Sequence, residues 1–163
     1  MVACLLVGEA LSHHSSRLLL DANEPLHASE HCHSRVGYPD VEKAIRWLCD
    51  AFGFTLCWQA GNHRAQLNAG DGVVAVTEQP LEGIHRLPGE PYHSHSVMVR
   101  VEDVDSHYER SRMHGARILE PPADYSYGER QYTVEDLAGH AWTFSQSIAD
   151  VLPEQWGGAS YQL

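Results

Sequence analysis

The chain lacks the local motifs that mark the commonest catalytic and nucleotide-binding sites. Its 163 residues contain no GxSxG, no P-loop, no GxGxxG and no HExxH, so a serine-hydrolase elbow, a phosphate loop and a helical zinc-protease site have no support. The four cysteines, Cys4, Cys32, Cys49 and Cys57, form no CxxC pair. We expect buried thiols on the predicted helix and strands, without a polarising partner for a cysteine nucleophile.

Basic residues are also scarce. The chain has 11 Lys and Arg against 22 Asp and Glu, a formal net charge of −11, which argues against a nucleic-acid partner. The acidic balance is compatible with a cationic or neutral small molecule, and equally with simple solubility. No apolar run is long enough to span a membrane. The N-terminus has no basic start and no clear cleavage site, so we expect a cytoplasmic, reducing location.

What the chain does contain is one pattern twice. HSRVGYPDVEKAIRWLCDAFGF surrounds Asp40, and SVMVRVEDVDSHYERSRMHGARI surrounds Asp103. Each copy has a strand-like run, then an Asp-Val-acid triplet, then a helix ending at Gly53 or Gly115. The two aspartates are 63 residues apart and the two glycines 62 apart. Two copies in so short a chain indicate that neither buries its apolar face alone, and that a ligand would bind at their shared surface.

The pattern predicts the order β-α-β-β-β in each unit. Asp40 and Asp103 are natural N-caps, and Gly53 supplies a C-terminal stop. In the first unit the predicted strands are His31–Tyr38, Phe54–Gln59, Arg64–Leu67 and Val73–Thr77, with a turn at Asp71-Gly72. In the second they are Ser94–Val101, Arg117–Glu120, Gln131–Glu135 and Ala141–Gln146, and the helix ends at His114.

These elements predict an α+β fold with three parts. Residues 1–28 form an N-terminal extension, and residues 29–148 form the domain, with units at about 30–78 and 92–146 joined by a linker at Pro80–Pro91. Residues 149–163 form a C-terminal tail. The tail either docks Leu152 and Trp156 on the domain or lies loose.

The paired units, the VEDVD segment around Asp103 and the segment YGERQYTVEDLAGHAWTFSQ at 127–146 resemble the glyoxalase / bleomycin-resistance / dioxygenase superfamily, also called the vicinal oxygen chelate fold. The resemblance covers about residues 30–148 and is similar to glyoxalase-like single-domain bacterial members. It implies a curved mixed sheet around a cleft, with the helices on the outer face. It also implies a homodimer, in some members with the cleft built across chains. The superfamily contains lyases, dioxygenases, thiol transferases and drug-binding proteins.

In the metal-dependent members, each unit offers ligands from its first and last strands. Counting seven residues back from the helix-opening aspartates gives His33 and Ser96. Counting four forward from the turn glycines gives Val76 and Thr143. Because only one of the four is a good metal ligand, we expect no family-type metal and no cofactor. A β-bulge before Val97, or a count wrong by one, would bring in His95; His93 has the same phase.

Strand alternation then suggests the ligand-binding residues. Arg35, Met98 and Arg100 share a face with His33 and Ser96, and their arginines would hold an anionic group or pair with carboxylates. The predicted loop Pro121–Arg130 would clasp a flat or cationic compound, or be a rigid surface loop tied by Glu129 and Arg130. The full predicted set is His33, Arg35, Ser96, Met98, Arg100, Tyr125, Tyr127, Arg130, Tyr132 and Thr143. Trp142 and Phe144 alternate with Thr143 and are predicted to be core.

The resulting hypothesis is a small-molecule-binding protein that sequesters a cationic or aromatic compound, as in antibiotic resistance, without the full metal site. Its catalytic residues, if any, are not identified. The alternative is a metal-dependent lyase or dioxygenase that uses His33 with His95 or a partner-chain residue. A purely scaffolding protein is a third class.

Overall fold

The computed structural model describes residues 34–79 and 95–160. Outside this range lie the N-terminal extension, the predicted linker and the first residues of the first predicted strand. His33 and His93 are therefore also outside it. The elements in chain order are β1 (Ser34–Tyr38), α1 (Val41–Phe52), β2 (Thr55–Ala60), β3 (Arg64–Ala69), β4 (Gly72–Glu78), β5 (Val97–Arg100), α2 (Val104–Met113), β6 (Arg117–Tyr125), β7 (Glu129–Glu135) and β8 (Ala141–Ser147). The predicted order of both units is confirmed.

The strands form two four-stranded sheets, with orders β1-β4-β3-β2 and β5-β8-β7-β6. β1 pairs with β4 and β5 pairs with β8 in parallel. All other strand pairs are antiparallel. The α+β class is therefore confirmed. β1 and β5 are edge strands of their sheets in the part of the chain that is described. No helix described here is long and apolar enough to cross a membrane.

Both helices begin as predicted. The Asp40 carboxylate accepts the backbone N–H of Lys43 at 2.9 Å, and that of Asp103 accepts the N–H of Ser106 at 3.0 Å. The latter hydrogen bond lowers the pKa of Asp103. Gly53 ends α1 in the left-handed region, at φ 71°. These caps satisfy backbone groups that a helix end leaves without a partner.

A single hydrophobic core runs through both units. Phe52, at the end of α1, is 3% exposed. Its ring centroid lies 5.6 Å from that of Trp142 and 4.9 Å from that of Phe144 on β8. Trp142 and Phe144 are fully buried, which confirms their assignment to the core. The first unit therefore completes its packing with residues of the second.

Asp136 joins the second unit to β1. One carboxylate oxygen accepts the Tyr38 hydroxyl at 2.5 Å and the Trp142 indole N–H at 3.0 Å. The other accepts the backbone N–H groups of Ala138 and His140. Burial, and then the neighbouring carboxylate, raises the pKa of Tyr38. A buried carboxylate with four donors is satisfied, so the β7–β8 turn is tied firmly to the first unit.

A second polar junction surrounds His107 on α2. Its Nε2 lies 3.0 Å from the Phe52 carbonyl oxygen, which only accepts, so Nε2 carries the proton. Nδ1 then accepts the Tyr132 hydroxyl at 2.6 Å, and that hydroxyl lies 2.8 Å from Ser111 Oγ. Burial lowers the pKa of His107 and raises that of Tyr132. The imidazole is therefore neutral and links α1, α2 and β7.

The prediction of a loop at Pro121–Arg130 is wrong. β6 continues to Tyr125 and β7 begins at Glu129, leaving a short turn. The β6–β7 register shifts between Glu120 and Ala123, where Pro121 and Pro122 stand. Proline cannot donate to a ladder, but an edge strand accommodates it at such irregularities.

The C-terminal tail docks on this turn. The Gly128 carbonyl accepts the backbone N–H groups of Ile148 and Ala149 at 2.9 and 3.1 Å. Gly128 has φ +85°, and a Cβ there would lie 2.3 Å from the Ala149 carbonyl oxygen, so only glycine fits. Trp156 packs edge-on against Tyr127, whereas Leu152 is 64% exposed. Docking is thus confirmed for Trp156 only.

One cysteine departs from expectation. Cys57 is exposed, as is every residue of β2, which lies at the edge of its sheet. Its Sγ lies 3.0 Å from Asn68 Oδ1. Cys49 on α1 is half-buried, and burial raises the pKa of its thiol.

Replacing Phe52 with alanine should lower the free energy of unfolding by about 3–5 kcal/mol, because it leaves a cavity where the two units meet. Urea denaturation followed by circular dichroism measures this change. Met113→Ala, at a side chain that is 73% exposed, is the control and should change stability by less than about 0.5 kcal/mol. Equal effects of the two substitutions would contradict the shared core.

Stability should also fall as the pH drops below about 6.5, the ordinary histidine pKa. His107 has a lowered pKa in the folded chain, so the unfolded chain takes up the proton first and gains stability relative to the folded one. In urea melts between pH 7.5 and 5, His107→Gln should flatten this dependence. His114→Gln, at an exposed side chain, is the control; the same slope in both variants would rule out His107 as its source.

Candidate functional site

One face of the second sheet carries mainly polar side chains. In β7 and β8 alternate residues point toward the helices, and directly opposed residues of neighbouring strands share a face. Tyr132, Val134, Trp142 and Phe144 occupy the helix side. We call the opposite side the polar face; it consists of Met98, Arg100, Tyr125, Glu129, Gln131, Thr133, Thr143, Ser145 and Ser147.

An ion pair crosses the polar face. The Arg100 guanidinium on β5 pairs with the Glu129 carboxylate on β7, so the pair spans the intervening strand β8. Ser145, opposite Arg100 in the register, is only 1% exposed. Gln131 donates its amide N–H to the same carboxylate at 2.7 Å. The arginine is therefore balanced by a carboxylate, in agreement with the structural alternative considered from the sequence.

Three aromatic side chains stand at the turn end of the polar face. Tyr125 lies opposite Glu129, and its ring stacks on that of Tyr127 with centroids 5.2 Å apart. Trp156 meets Tyr127 edge-on at 5.8 Å. Desolvation, followed by the neighbouring Tyr125 and Glu129, raises the pKa of Tyr127, so it stays a neutral phenol. We call Tyr125, Tyr127 and Trp156 the aromatic cluster.

A groove of about 600 Å³ adjoins the β5 edge of this face, on the opposite side of the sheet from β6. It runs between the β3–β4 turn, Ala69–Gly72, and the segment Met98–Glu102, with Ser147 in its wall. Gly70 has φ +62°, and a Cβ there would be 3.3 Å from the Arg100 carbonyl oxygen. The close approach of this turn to β5 is thus part of how the groove forms. Its volume is typical of small-molecule sites.

The structure brings several predicted site residues together. Met98, Arg100, Thr143 and Tyr125 lie on the polar face, and Tyr127 lies at its end. Ser96 comes directly before β5 and is exposed. Arg35 is exposed on β1 in the first sheet, opposite Ala75. His33 lies outside the described residues.

Two predicted ligand-binding residues point the other way. Arg130 forms ion pairs with Asp105 at 2.8 Å and Asp124 at 2.6 Å, which raise its pKa. Tyr132 is 1% exposed in the core. The reason is strand alternation: residues 130 and 132 face the helices, whereas 129 and 131 face the polar side. The predicted tie between Glu129 and Arg130 is wrong for the same reason.

Sequence reasoning missed five members of the polar face, namely Glu129, Gln131, Thr133, Ser145 and Ser147. The signal was available, because polar residues alternate in ERQYTVE and in AWTFSQS. Alternation within β8 places Thr143 on this face, whereas Glu129, Gln131 and Thr133 follow only from the pairing of β7 with β8.

The metal-ligand positions need one correction. Arg35 pairs with Ala75 and Met98 with Thr143, so Ala75 is the counterpart of Thr143. Val76 instead pairs with Val36 and is fully buried. Counting from Gly72 fails because the two turns differ in length. The left-handed turn glycines are Gly70 and Gly139; Gly70 lies five residues before Ala75, whereas Gly139 lies four residues before Thr143.

The described positions do not fit a family-type metal. Ser96, Ala75 and Thr143 provide two neutral hydroxyls and a methyl group, not the imidazole, carboxylate or amide donors that suit such an ion. No group of three His, Cys, Asp or Glu within the described residues is arranged to hold a metal. The β5–β8 register is regular from Val97 to Arg100; a bulge before Val97 that would bring in His95 precedes these pairs and stays a prediction.

Comparison with known proteins agrees with this architecture. The family model of the Glyoxalase/Bleomycin resistance protein/Dioxygenase superfamily matches residues 29–144. No curated protein matches the chain.

Among solved structures, TioX from Micromonospora sp. ML1 is 34% identical, covers 76% of this chain and 100% of its own, and has a TM-score of 0.59. The fosfomycin resistance protein FosX from Listeria monocytogenes is 14% identical over 73% of this chain and 93% of its own, with a TM-score of 0.59. A superfamily protein from Alicyclobacillus acidocaldarius is 12% identical over 74% and 92%, with a TM-score of 0.57. The last two show the fold alone.

The ion pair on the polar face predicts opposite responses to two substitutions. Arg100→Gln leaves the Glu129 carboxylate uncompensated. It should strengthen binding of the cation benzamidinium about 2- to 5-fold and weaken binding of the anion benzoate, and Glu129→Gln should do the reverse. Nuclear magnetic resonance titrations give both dissociation constants, and the two probes share one ring. If both variants change both probes in the same direction, the pair does not control charge on this face.

Proposed function

The chain belongs to the glyoxalase/bleomycin resistance protein/dioxygenase superfamily, and from this premise we propose that it binds and sequesters a small organic molecule on the polar face, without a metal of the family type. The observation that carries the proposal is the set of residues at the ligand positions. Ser96, Ala75 and Thr143 are poor or impossible metal donors, yet a groove adjoins the polar face. A superfamily scaffold with a groove but without its donors is suited to binding rather than to Lewis-acid chemistry.

The chemistry of the face supports a cationic or aromatic ligand. Arg100 is already paired with Glu129, so the face has no unbalanced positive charge from this residue. The aromatic cluster offers stacking and cation–π contacts, and the net charge of −11 favours approach of a cation. Sequestration of a toxic compound of this kind is the resistance role that we propose.

A second copy of the chain would complete the cleft. β1 and β5 are edge strands among the described residues, and Met98 is 58% exposed beside one of these edges. Uncovered strand edges are a liability that proteins usually cover. These features support a homodimer with a cleft built across two chains. For its location we propose a reducing cytoplasm, in which the thiols stay free.

Binding without turnover tests the proposal. A panel that includes the planar cations proflavine and ethidium should contain at least one ligand with a Kd on the order of micromolar, seen as quenching of tryptophan fluorescence and by equilibrium dialysis. Mass spectrometry should recover the compound unchanged, and light scattering at the same concentrations should give the mass of a dimer. Absence of binding across a broad panel of aromatic and cationic drugs would remove the basis for the proposal.

Metal analysis separates this function from the alternative. Protein purified without a histidine tag should contain far less than one metal ion per chain, and EDTA should leave probe binding unchanged, because three ligand positions offer only two weak hydroxyl donors and a methyl group. Stoichiometric nickel, zinc, iron or manganese that is lost in His33→Ala would instead support a metal-dependent lyase or dioxygenase.

A further inference from the structure

The C-terminal segment 148–160 is folded against the β6–β7 turn and is not a loose end. Besides its two bonds to the Gly128 carbonyl, it is closed by its own hydrogen bonds. The Gly158 N–H donates to the Pro153 carbonyl at 2.7 Å, the Leu152 N–H to the Gln155 side chain at 2.9 Å, and the Ser160 N–H to the Glu154 carboxylate at 2.9 Å. These bonds hold Trp156 in a defined place.

That place contributes little to the core. Trp156 is 45% exposed and Tyr125 36% exposed, although rings of this size usually gain stability by burial. Tyr127 stands between them, stacked on Tyr125 and edge-on to Trp156. Three neighbouring rings that keep open surface are suited to contact with a further flat group.

The aromatic cluster is also at the right distance from the groove. Tyr125, Glu129 and Ser147 are directly opposed across β6, β7 and β8, and Ser147 lines the groove. Adjacent strands are about 4.8 Å apart, so Tyr125 and Ser147 are separated by roughly 10 Å. One small organic molecule can therefore lie in the groove beside Arg100 and extend across the face to the rings.

We propose that Trp156, carried by the C-terminal segment, forms with Tyr125 and Tyr127 a subsite for a planar aromatic group of the bound molecule. This inference rests on the proposed function, since it assigns part of the ligand to part of the same face. It makes the segment after β8 a determinant of ligand specificity.

Equilibrium dialysis with two probe cations tests the subsite independently of tryptophan fluorescence. Trp156→Leu should weaken binding of proflavine, which is planar and aromatic, about 10-fold, and leave binding of tetrabutylammonium within about 2-fold. Trp58→Leu is the matched control, because Trp58 is 37% exposed but lies on the first sheet; it should change neither constant.

A second pair of variants tests the segment that carries the ring. Gly128→Ala forces the Ala149 carbonyl away and should reproduce the loss for proflavine. Gly115→Ala, which has a similar positive φ and no atom within 4 Å of its Cβ, should not. Thermal melting confirms that each variant is folded.

The outcomes separate the two proposals. If the unsubstituted chain binds no compound of the broad panel, these two probes included, the proposed function fails and the subsite fails with it. If it binds other compounds of the panel but not proflavine, the subsite alone is wrong. Two results would contradict the subsite alone while the binding function stands. In the first, Trp156→Leu binds proflavine as tightly as the unsubstituted chain; in the second, it binds both probes more weakly to the same extent.

Discussion

The packing of Phe52 against Trp142 and Phe144 is the contact on which the rest of the structure depends. Each βαβββ unit has one sheet and one helix, which is too little to enclose an apolar core of its own. Phe52 ends α1 and enters the apolar layer of the second unit, and the His107 imidazole donates to its carbonyl oxygen. Asp136 adds a polar junction at β1. The two sheets are thereby held in one arrangement, and the groove between the β3–β4 turn and β5 follows from it.

The same strands serve the core and the site by alternation. In β7 and β8, residues 132, 134, 142 and 144 close the core, and the residues between them build the polar face. A shift of one residue along either strand therefore exchanges a packing role for a surface role. This explains why Arg130 and Glu129, neighbours in the chain, make ion pairs on opposite sides of the sheet.

The polar face shows how a superfamily scaffold can exist without the donors of its metal-dependent members. Each sheet keeps the matched position on its parallel pair of strands, Ala75 beside Arg35 and Thr143 beside Met98, and Ser96 stands directly before β5, but none of the three is a donor of that kind. The paired Arg100 and Glu129 satisfy each other there, so no buried charge needs an ion. The fold and the chemistry usually associated with it are thus separable in this chain.

The sequence by itself determined the two helix caps, the paired units and the inward direction of Trp142 and Phe144, because these depend on neighbours within a few residues and on a period of two. It did not determine the Arg100–Glu129 pair, the extension of β6 to Tyr125, the equivalence of Ala75 with Thr143, or the docking of Trp156. Each of these depends on the register between separate strands, and register shifts with every bulge and turn length. Only the tertiary structure decides how residues 29 positions apart meet across a sheet.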